Sequence, residues 1–356
     1  MNRTIDDLDT PQLLLDLDRV DANLAKMRDG ADRYRVALRV HFKSLKCSGL
    51  ARYLMERGVD RFLCAKLNEA EVLVAAGVKD LFIANQLVGS AKMDRLAQLM
   101  DKATLAVCVD APEHVALLSR LPAHGTRRLG VFIEVNVGMD RCGVETPEEA
   151  LKLAGQIAKY PHLELQGIQA YDGHLQGQED TPERARRCRE GLVKALAIRR
   201  ALEGAGFTVP TVTGAGTSTW ETAAPVDGIT EIQPGSFLLM DGSYHRLRPE
   251  FGVSLTILAT VISVRPGRYV LDVGSKGVSQ DFARSTLKDR PLDQVLKVNE
   301  EHTIVETKDS EVKIGDRMEI ISGHCCATMN LHRTAVAIRK HRVEAHWPID
   351  ASGRYD

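Results

Sequence analysis

An excess of charge of either sign is missing from this 356-residue sequence, which has 47 Lys and Arg residues and 48 Asp and Glu residues. This lack excludes the basic surface typical of nucleic-acid-binding proteins, so we expect no nucleic-acid partner. No apolar run is long enough to span a bilayer, and the first ten residues, MNRTIDDLDT, lack the apolar core of a signal peptide. We therefore expect a cytoplasmic protein without a membrane partner.

Cysteine is also sparse, with seven residues of which only Cys325 and Cys326 are adjacent. An odd count without a secretion signal favours reduced thiols over a disulfide framework. The sequence lacks a GxGxxG motif between its first predicted strand and a helix. That absence weighs against a dinucleotide-binding fold.

Short apolar runs alternate with helical patterns between residues 20 and 245. The predicted strands are 37–44, 61–66, 80–86, 104–110, 129–138, 163–174, 211–216 and 231–241. The predicted amphipathic helices are 48–57, 68–76, 91–101, 147–159 and 182–204. This alternation predicts an α/β fold, a (β/α)8 TIM-type barrel, with a doubly wound open sheet as the alternative.

The pattern changes after about residue 250 to strands separated by turn residues. We expect residues 246–356 to form a smaller all-β domain with hairpin turns at Pro266–Gly267, 308–310 and 314–316. The apolar run 12–18, within residues 1–19, is predicted to add a strand to that domain.

Polar residues gather at the predicted carboxyl ends of the barrel strands, where TIM barrels place their catalytic groups. On the first strand, alternation puts Arg39, His41 and Lys43 on one face, which is costly unless they serve something anionic. Lys43 is a candidate to form a Schiff base, with a lysine at the barrel rim as the plainer alternative. Lys46 is the rival lysine and is expected to point outward.

A Gly-, Thr- and Ser-rich loop, VTGAGTSTW (212–220), follows the seventh predicted strand. Backbone N–H groups and hydroxyls there could hold a phosphate, although a flexible turn is the alternative. A Schiff-base lysine together with a phosphate loop indicates pyridoxal 5′-phosphate (PLP).

Several segments resemble one family in the same order along nearly the whole chain. RVHFKSLKC (39–47) resembles the R-P-H-x-K-T-H-K segment of D-threonine aldolases and eukaryotic-type D-serine dehydratases, fold-type III PLP enzymes related to alanine racemase. EVNVGMDRCGV (134–144), GIQAYDGHLQ (167–176), VTGAGTSTW, EIQPGSFLLMD (231–241) and GHCCATMNLH (323–332) are similar to further family segments.

This resemblance implies roles for single residues. Lys43 would join the cofactor, with His41 and Tyr171 beside it, and Arg141 would approach its phenolic oxygen. Residues expected at the phosphate are Gly216, Thr217, Ser218, Gly235 and Ser236. Gln233 matches the position where alanine racemase places an arginine against the pyridine nitrogen. His324 and Cys326 would bind a divalent metal such as manganese or zinc.

The sequence departs from the family pattern at three places. Val40 replaces a proline, Ser44–Leu45 replaces a Thr-His pair, and Cys326 stands where many aldolases have aspartate. The first two departures put the cofactor geometry in doubt, and the third puts the metal and the reaction in doubt.

The segment YDGHLQ (171–176) favours the aldolases within this family. His174 is a candidate base for the β-hydroxyl proton, with a structural histidine as the alternative. The resemblance therefore implies a metal-dependent, homodimeric D-threonine aldolase that cleaves D-3-hydroxy-α-amino acids. A D-serine or D-3-hydroxyaspartate dehydratase is the alternative reaction, and a PLP-homeostasis protein is the non-enzymatic alternative.

The metal segment, SGHCCATMNLH (322–332), is interpreted as a strand. Alternation on a strand puts His324 and Cys326 on one face and turns Cys325 into packing, which argues against a redox pair. Imidazole and thiolate ligands suit zinc or a similar metal, and His332 is expected to be structural.

Overall fold

The computed structural model describes residues 3–122 and 127–355. The chain divides into two compact units. The barrel unit comprises Arg28–Lys43, Ala51–Gly235 and Arg354–Asp356, and the β unit comprises Met1–Met27, Ser44–Leu50 and Ser236–Gly353. The domain boundaries expected from sequence, 20–245 and 246–356, stay predictions.

The described residues form eighteen strands and ten α-helices. The strands are β1 Gln12–Asp16, β2 Ala37–Leu38, β3 Val40–His41, β4 Arg61–Cys64, β5 Asp80–Ile83, β6 Thr104–Val109, β7 Leu129–Glu134, β8 Leu163–Ala170, β9 Thr211–Gly214, β10 Glu231–Ile232, β11 Leu255–Arg265, β12 Arg268–Leu271, β13 Thr286–Leu287, β14 Gln294–Val298, β15 Thr303–Glu306, β16 Arg317–Ile321, β17 Thr334–Arg339 and β18 Arg342–Pro348. The helices are α1 Leu17–Tyr34, α2 Ser48–Glu56, α3 Leu67–Ala75, α4 Ser90–Met100, α5 Pro112–Leu118, α6 Pro147–Ile157, α7 Thr181–Gly204, α8 Trp220–Ala223, α9 Gly242–Leu247 and α10 Cys325–Leu331.

The barrel unit contains one parallel sheet in the order β2-β10-β9-β8-β7-β6-β5-β4-β3. The strands at the two ends of this order, β2 and β3, are consecutive in the chain and are separated only by Arg39. The sheet therefore nearly closes on itself, and the predicted (β/α)8 barrel is confirmed. Each of the eight predicted strand runs contains an observed strand, but the observed strands are shorter.

Arg39 lies at the break between β2 and β3 and is held by acidic side chains. Its Nε is 2.9 Å from Glu231 Oε1, and its Nη1 is 2.6 Å from Asp80 Oδ1. Both Arg39 and Glu231 are buried, and a buried charge is costly without a partner of opposite charge. The ion pair between them therefore compensates both charges. The anionic groups that Arg39 was expected to serve are therefore the side chains of Glu231 and Asp80.

Apolar side chains from neighbouring barrel strands pack into a cluster. Its members are Leu63, Phe82, Ala106, Cys108 and Phe132, and the rings of Phe82 and Phe132 stack with centroids 4.4 Å apart. Cys108 acts as a small apolar residue, and burial raises the pKa of its thiol well above the ordinary value. All seven cysteines are free thiols.

The β unit contains a second sheet in the order β14-β15-β12-β11-β1-β17-β18, with β16 paired to β11 and β13. The predicted N-terminal strand is present as β1 and pairs with β11 and β17. The hairpins β11–β12 and β17–β18 are also present. The predicted hairpin between β15 and β16 is wrong, because these strands pair with other neighbours in the sheet.

Among the residues described, no helix combines the length and the apolar character that crossing a membrane requires.

Candidate active site

Lys43 lies in a cavity of about 220 Å³ within the barrel unit. Strand β3 ends at His41, and Phe42–Ser44 form a 3-10 turn that carries Lys43 past the strand end. The cavity is also lined by other residues expected from sequence, namely His41, Arg141, Tyr171 and Gln233. The structure thus brings together five of the predicted cofactor residues.

The Tyr171 ring lies close to two cationic groups. Lys43 Nζ lies 5.2 Å from the centroid of the Tyr171 ring, and the Arg141 guanidinium carbon lies 5.9 Å from it. Both distances allow attraction between a cation and the π-electrons of the ring. This arrangement fits a planar anionic aldehyde, because it offers an amine, a second cation and a flat apolar surface.

The loop that carries Arg141 is shaped by Asn136. The Asn136 Oδ1 atom accepts hydrogen bonds from the backbone N–H groups of Gly138, Met139 and Asp140, at 3.0, 3.1 and 3.1 Å. Asp140 has a positive φ of 53°, a conformation that few non-glycine residues adopt. The side chain of Asn136 therefore compensates for backbone strain next to Arg141.

Glu134, at the end of β7, lines the same cavity and was missed in the sequence analysis. Its Oε1 lies 3.7 Å from Arg141 Nη2, and its Oε2 accepts a 2.6 Å hydrogen bond from Gln86. Burial raises the pKa of this carboxyl above its ordinary value, although Gln86 and Arg141 oppose the rise. The sequence did contain a signal for Glu134, because it is a single acidic residue at the carboxyl end of an otherwise apolar strand.

Gln233 is engaged by neighbouring barrel residues. Its Nε2 donates to Gln169 Oε1 at 2.6 Å and to Thr213 Oγ1 at 2.8 Å, and its Oε1 accepts from Gln169 Nε2 at 3.1 Å. These contacts hold a neutral amide pair in the cavity wall. The role of Gln233 against a pyridine nitrogen stays a prediction.

The loop after β9, with Gly216, Thr217 and Ser218, is buried. The Gly216 N–H donates to Thr219 Oγ1 at 3.1 Å, and the Ser218 hydroxyl donates to the Gln176 carbonyl at 2.7 Å. These hydrogen bonds favour an ordered loop over the alternative of a flexible turn. The loop does not line the Lys43 cavity, so its phosphate role stays a prediction, as does that of Gly235 and Ser236.

His174 lines a different cavity of the barrel unit, together with Gly138 and Arg187. Its Nδ1 is buried and has no hydrogen-bond partner among the described residues. Burial and the nearby Arg187 lower the pKa of His174, which keeps the ring neutral near neutral pH. The structure does not bring His174 to Lys43, so its geometry gives no support to the predicted role as the base.

The segment interpreted as a strand is helical from Cys325 to Leu331, so that interpretation is wrong. His324 keeps an extended backbone just before α10, and the Cys325 N–H donates to Asp241 Oδ2 at 2.7 Å. Because Asp241 accepts a hydrogen bond from the first residue of α10, it stabilises the helix start at this point. Strand alternation therefore cannot be used to place His324 and Cys326 on the same face.

The two adjacent cysteines nevertheless differ in their surroundings within the β unit. Cys325 is fully buried, whereas Cys326 is partly exposed and its Sγ lies 3.1 Å from Ser44 Oγ and 3.6 Å from Ser236 Oγ. The sulfur atoms of Cys325 and Cys326 are 4.0 Å apart. The hydrogen bond that the Cys325 thiol makes to Cys326, together with burial, raises the pKa of the Cys325 thiol.

His324 is the other expected metal ligand. Its Nδ1 is buried without a hydrogen-bond partner among the described residues and lies 4.0 Å from Asp281 Oδ2. Burial alone would lower the pKa of His324, but Cys326 and then the acidic groups Asp241 and Asp281 outweigh it and raise the pKa.

The part of the chain that the structure describes contains no cluster of three or more His, Cys, Asp or Glu side chains suited to a metal ion. An imidazole and a thiol at His324 and Cys326 fit a borderline divalent metal held by two protein ligands. His332 is not part of this pair, because its Nε2 donates to the Gly277 carbonyl at 2.7 Å, as expected for a structural residue.

Lys46, the rival lysine, is buried, so the expectation that it points outward is wrong. Its Nζ lies 3.5 Å from the Ala351 carbonyl, and its own carbonyl accepts from the Ala351 N–H at 3.0 Å. It does not line the cavity that contains Lys43.

Two family models match the chain in sequence order. The alanine racemase N-terminal domain matches residues 15–242, and the serine dehydratase domain matches residues 254–338. The chain therefore belongs to the family defined by the alanine racemase N-terminal domain. Its members with an alanine racemase-like barrel are fold-type III PLP enzymes.

Two aldolases of this family are similar to the chain over nearly its whole length. It is 35% identical to a D-threonine aldolase of Arthrobacter sp, over 97% of this chain and 93% of that protein. It is 34% identical to a 3-hydroxy-D-aspartate aldolase of Paracoccus denitrificans (strain Pd 1222), over 98% and 93%. The D-threo-3-hydroxyaspartate dehydratase of Delftia sp. (strain HT23) is more distant, at 29% over 92% and 93%.

The crystal structure of D-threonine aldolase from Filomicrobium marinum matches the structure with a TM-score of 0.93. The two sequences are 33% identical, and the match covers 99% of this chain and 98% of the other. The family aldolases therefore share both sequence and fold with the chain.

Proposed function

We propose that the protein is a PLP- and divalent-metal-dependent D-threonine aldolase that cleaves D-3-hydroxy-α-amino acids to glycine and an aldehyde. The observation that carries the proposal is the position of Lys43 in one cavity with Tyr171 and Arg141. The choice of aldolase is supported by the two aldolases that share more identity with the chain than the Delftia dehydratase does.

The cofactor and the metal would have separate roles in this reaction. When bound, PLP accepts the electron pair left by the bond broken at Cα, and the metal makes the β-hydroxyl proton easier to remove. Lys43 is proposed to hold the cofactor covalently, and His324 and Cys326 are proposed to hold the metal.

The remaining cavity residues orient the bound molecules. Tyr171 supplies a flat surface, and Arg141 offers a cation whose position depends on Glu134 and on the Asn136 loop. His174 as the base for the hydroxyl proton stays a prediction. A His174→Ala variant that keeps full turnover would contradict it.

Product analysis tests the proposed reaction. The protein loaded with PLP and manganese is incubated with D-threonine and with its L-enantiomer, and the products are separated. Glycine and acetaldehyde from the D-enantiomer support the aldolase. A keto acid and ammonia without glycine would contradict it and support the dehydratase.

The dehydratase is the second candidate because of Cys326, which stands where many aldolases have aspartate. The same product analysis with D-serine and D-3-hydroxyaspartate separates the two reactions. Full PLP occupancy without turnover of any hydroxy amino acid would instead support a PLP-homeostasis protein. We further propose a cytoplasmic homodimer, whose subunit number can be measured by light scattering.

A further inference from the structure

The segment YDGHLQ (171–176) contributes two buried polar residues, Asp172 and Gln176, that the proposed reaction does not use. Both belong to the barrel unit and are 5% and 7% exposed. Buried polar side chains are costly unless they are hydrogen-bonded, so the partners of this pair show what it does.

Asp172 and Gln176 are hydrogen-bonded to each other and to the loop after β9. Gln176 Nε2 donates to Asp172 Oδ1 at 3.1 Å and to Thr219 Oγ1 at 3.0 Å, while its Oε1 accepts from the Ser218 N–H at 3.0 Å. All the donors and the acceptor of this amide are therefore used. The Ser218 hydroxyl completes the contact by donating to the Gln176 carbonyl at 2.7 Å.

Thr219 joins the same network. Its hydroxyl donates to Asp172 Oδ1 at 3.0 Å and accepts from the Gly216 N–H at 3.1 Å. Asp172 also accepts a hydrogen bond from the buried thiol of Cys188. One buried carboxylate thus holds both Gln176 and Thr219 in place.

Glycine at position 216 leaves room for the Gln176 amide. A Cβ atom there would lie 2.5 Å from Gln176 Oε1, which is too close. Gly216 and Ser218 are both held by this network, and Thr217 lies between them in the chain. The backbone on either side of Thr217 is therefore held by the Thr219 hydroxyl and by the Gln176 side chain.

We propose that Gln176, Thr219 and Asp172 are positioning residues that hold loop 216–219 in the form that binds the cofactor's phosphate. The inference rests on the proposed function and on the family resemblance, which implies that Gly216, Thr217 and Ser218 hold the phosphate. The inference gives Asp172 and Gln176 of the segment YDGHLQ a role in the affinity for the cofactor.

Equilibrium titrations of the full-length protein, freed of cofactor, with PLP and with pyridoxal test the inference. Pyridoxal lacks the phosphate and serves as the internal reference. Thr219→Val, which removes the hydroxyl at similar volume, should weaken PLP binding about tenfold, equal to about 1.4 kcal/mol, and leave pyridoxal binding unchanged. Thr219→Ser should restore the affinity for PLP.

A second pair of variants tests the inference independently in case Thr219→Val does not fold. Gln176→Met removes the amide at similar size, and Gln178→Met makes the same change outside the network. We expect only Gln176→Met to reduce the preference for PLP over pyridoxal. Unchanged preference in both Thr219→Val and Gln176→Met overturns the inference.

The two proposals fail in different ways in this experiment. If the wild-type protein binds neither compound, the proposed function fails and the inference fails with it. If the wild-type protein binds PLP and the variants keep its preference, only the inference fails.

Discussion

Lys43 owes its position to the way its strand ends. Strand β3 stops at His41, and the 3-10 turn that follows places Lys43 on the cavity that His41 also lines. Lys46 follows within three residues but is buried beside Ala351. The distinction between the two lysines therefore depends on local backbone conformation.

We expect Lys43→Ala to abolish the visible absorption of the protein-bound cofactor, because no other amine lines the described part of the cavity. Lys46→Met is the matched control, since it removes an amine three residues away and keeps apolar volume. Visible spectra of both variants after PLP loading provide the measurement. Absorption that survives in Lys43→Ala and disappears in Lys46→Met would show that the lysine is misassigned.

The adjacent cysteines offer another matched pair. We expect Cys326→Ala to weaken binding of zinc or manganese by more than about tenfold. Losing a residue that only hydrogen-bonds a metal ligand already lowers metal affinity about tenfold or more, and losing a ligand itself should cost at least as much. Cys325→Ala should leave metal affinity nearly unchanged, because this thiol is fully buried. Metal titration calorimetry measures both, and the reverse order of effects would refute the assignment.

Glu134 should make stability depend on pH. Burial raises its pKa above the ordinary value of 4.5, so the folded state binds this proton more tightly than the unfolded state. Stability from this group is present below pH 4.5 and is lost as pH rises through the raised pKa. We expect Glu134→Gln to increase the free energy of unfolding near neutral pH and to change it little at low pH. Urea unfolding at several pH values measures this difference, and a pH-independent difference would contradict it.

At the level of elements, the start of α10 depends on a residue far away in the chain. Asp241 accepts hydrogen bonds from the Tyr244 N–H at 2.7 Å and from the Cys325 N–H at 2.7 Å. It thereby caps α9 and holds the first residue of α10. The seven-residue helix that carries Cys326 is therefore defined by a contact between distant segments.

We expect Asp241→Ala to lower the free energy of unfolding by about 1–2 kcal/mol, as the loss of a helix cap does, and to weaken metal binding. Thr146→Ala is the control, because Thr146 caps α6 in the barrel unit by accepting from Glu149. It should lower stability to a similar degree with metal affinity unchanged. Urea unfolding and metal titration are both required, and equal metal affinity in the two variants would contradict the assignment.

At the level of the whole molecule, the lysine proposed to hold the cofactor and the two proposed metal ligands belong to different compact units. Lys43 is in the barrel unit, whereas His324 and Cys326 are in the β unit. Retention of the cofactor should therefore not require the metal ligands.

A chelator should separate the two requirements. We expect removal of the metal to lower turnover of D-threonine about a hundredfold or more, since a metal contributes several kcal/mol to such a reaction. The visible absorption of the bound cofactor should persist, and added manganese should restore turnover. Loss of the absorption on chelation would contradict this prediction.

The sequence by itself determined the barrel and five of the residues that line its cavity. Parallel strands are buried on both faces and appear as short apolar runs, so each of the nine strands of the barrel sheet falls within one of the eight predicted runs. The carboxyl ends of those strands meet at one end of the barrel. This shared geometry explains why His41, Lys43, Arg141 and Tyr171 could be expected together.

The tertiary structure alone decided the features that depend on contacts between distant segments. The helix at Cys325 requires Asp241, the buried amide of Gln176 requires Ser218 and Thr219, and the charge of Arg39 is compensated by Glu231 and Asp80. Local patterns do not contain these partners. His174 likewise followed the expected strand, but packing of the barrel unit placed its ring outside the Lys43 cavity.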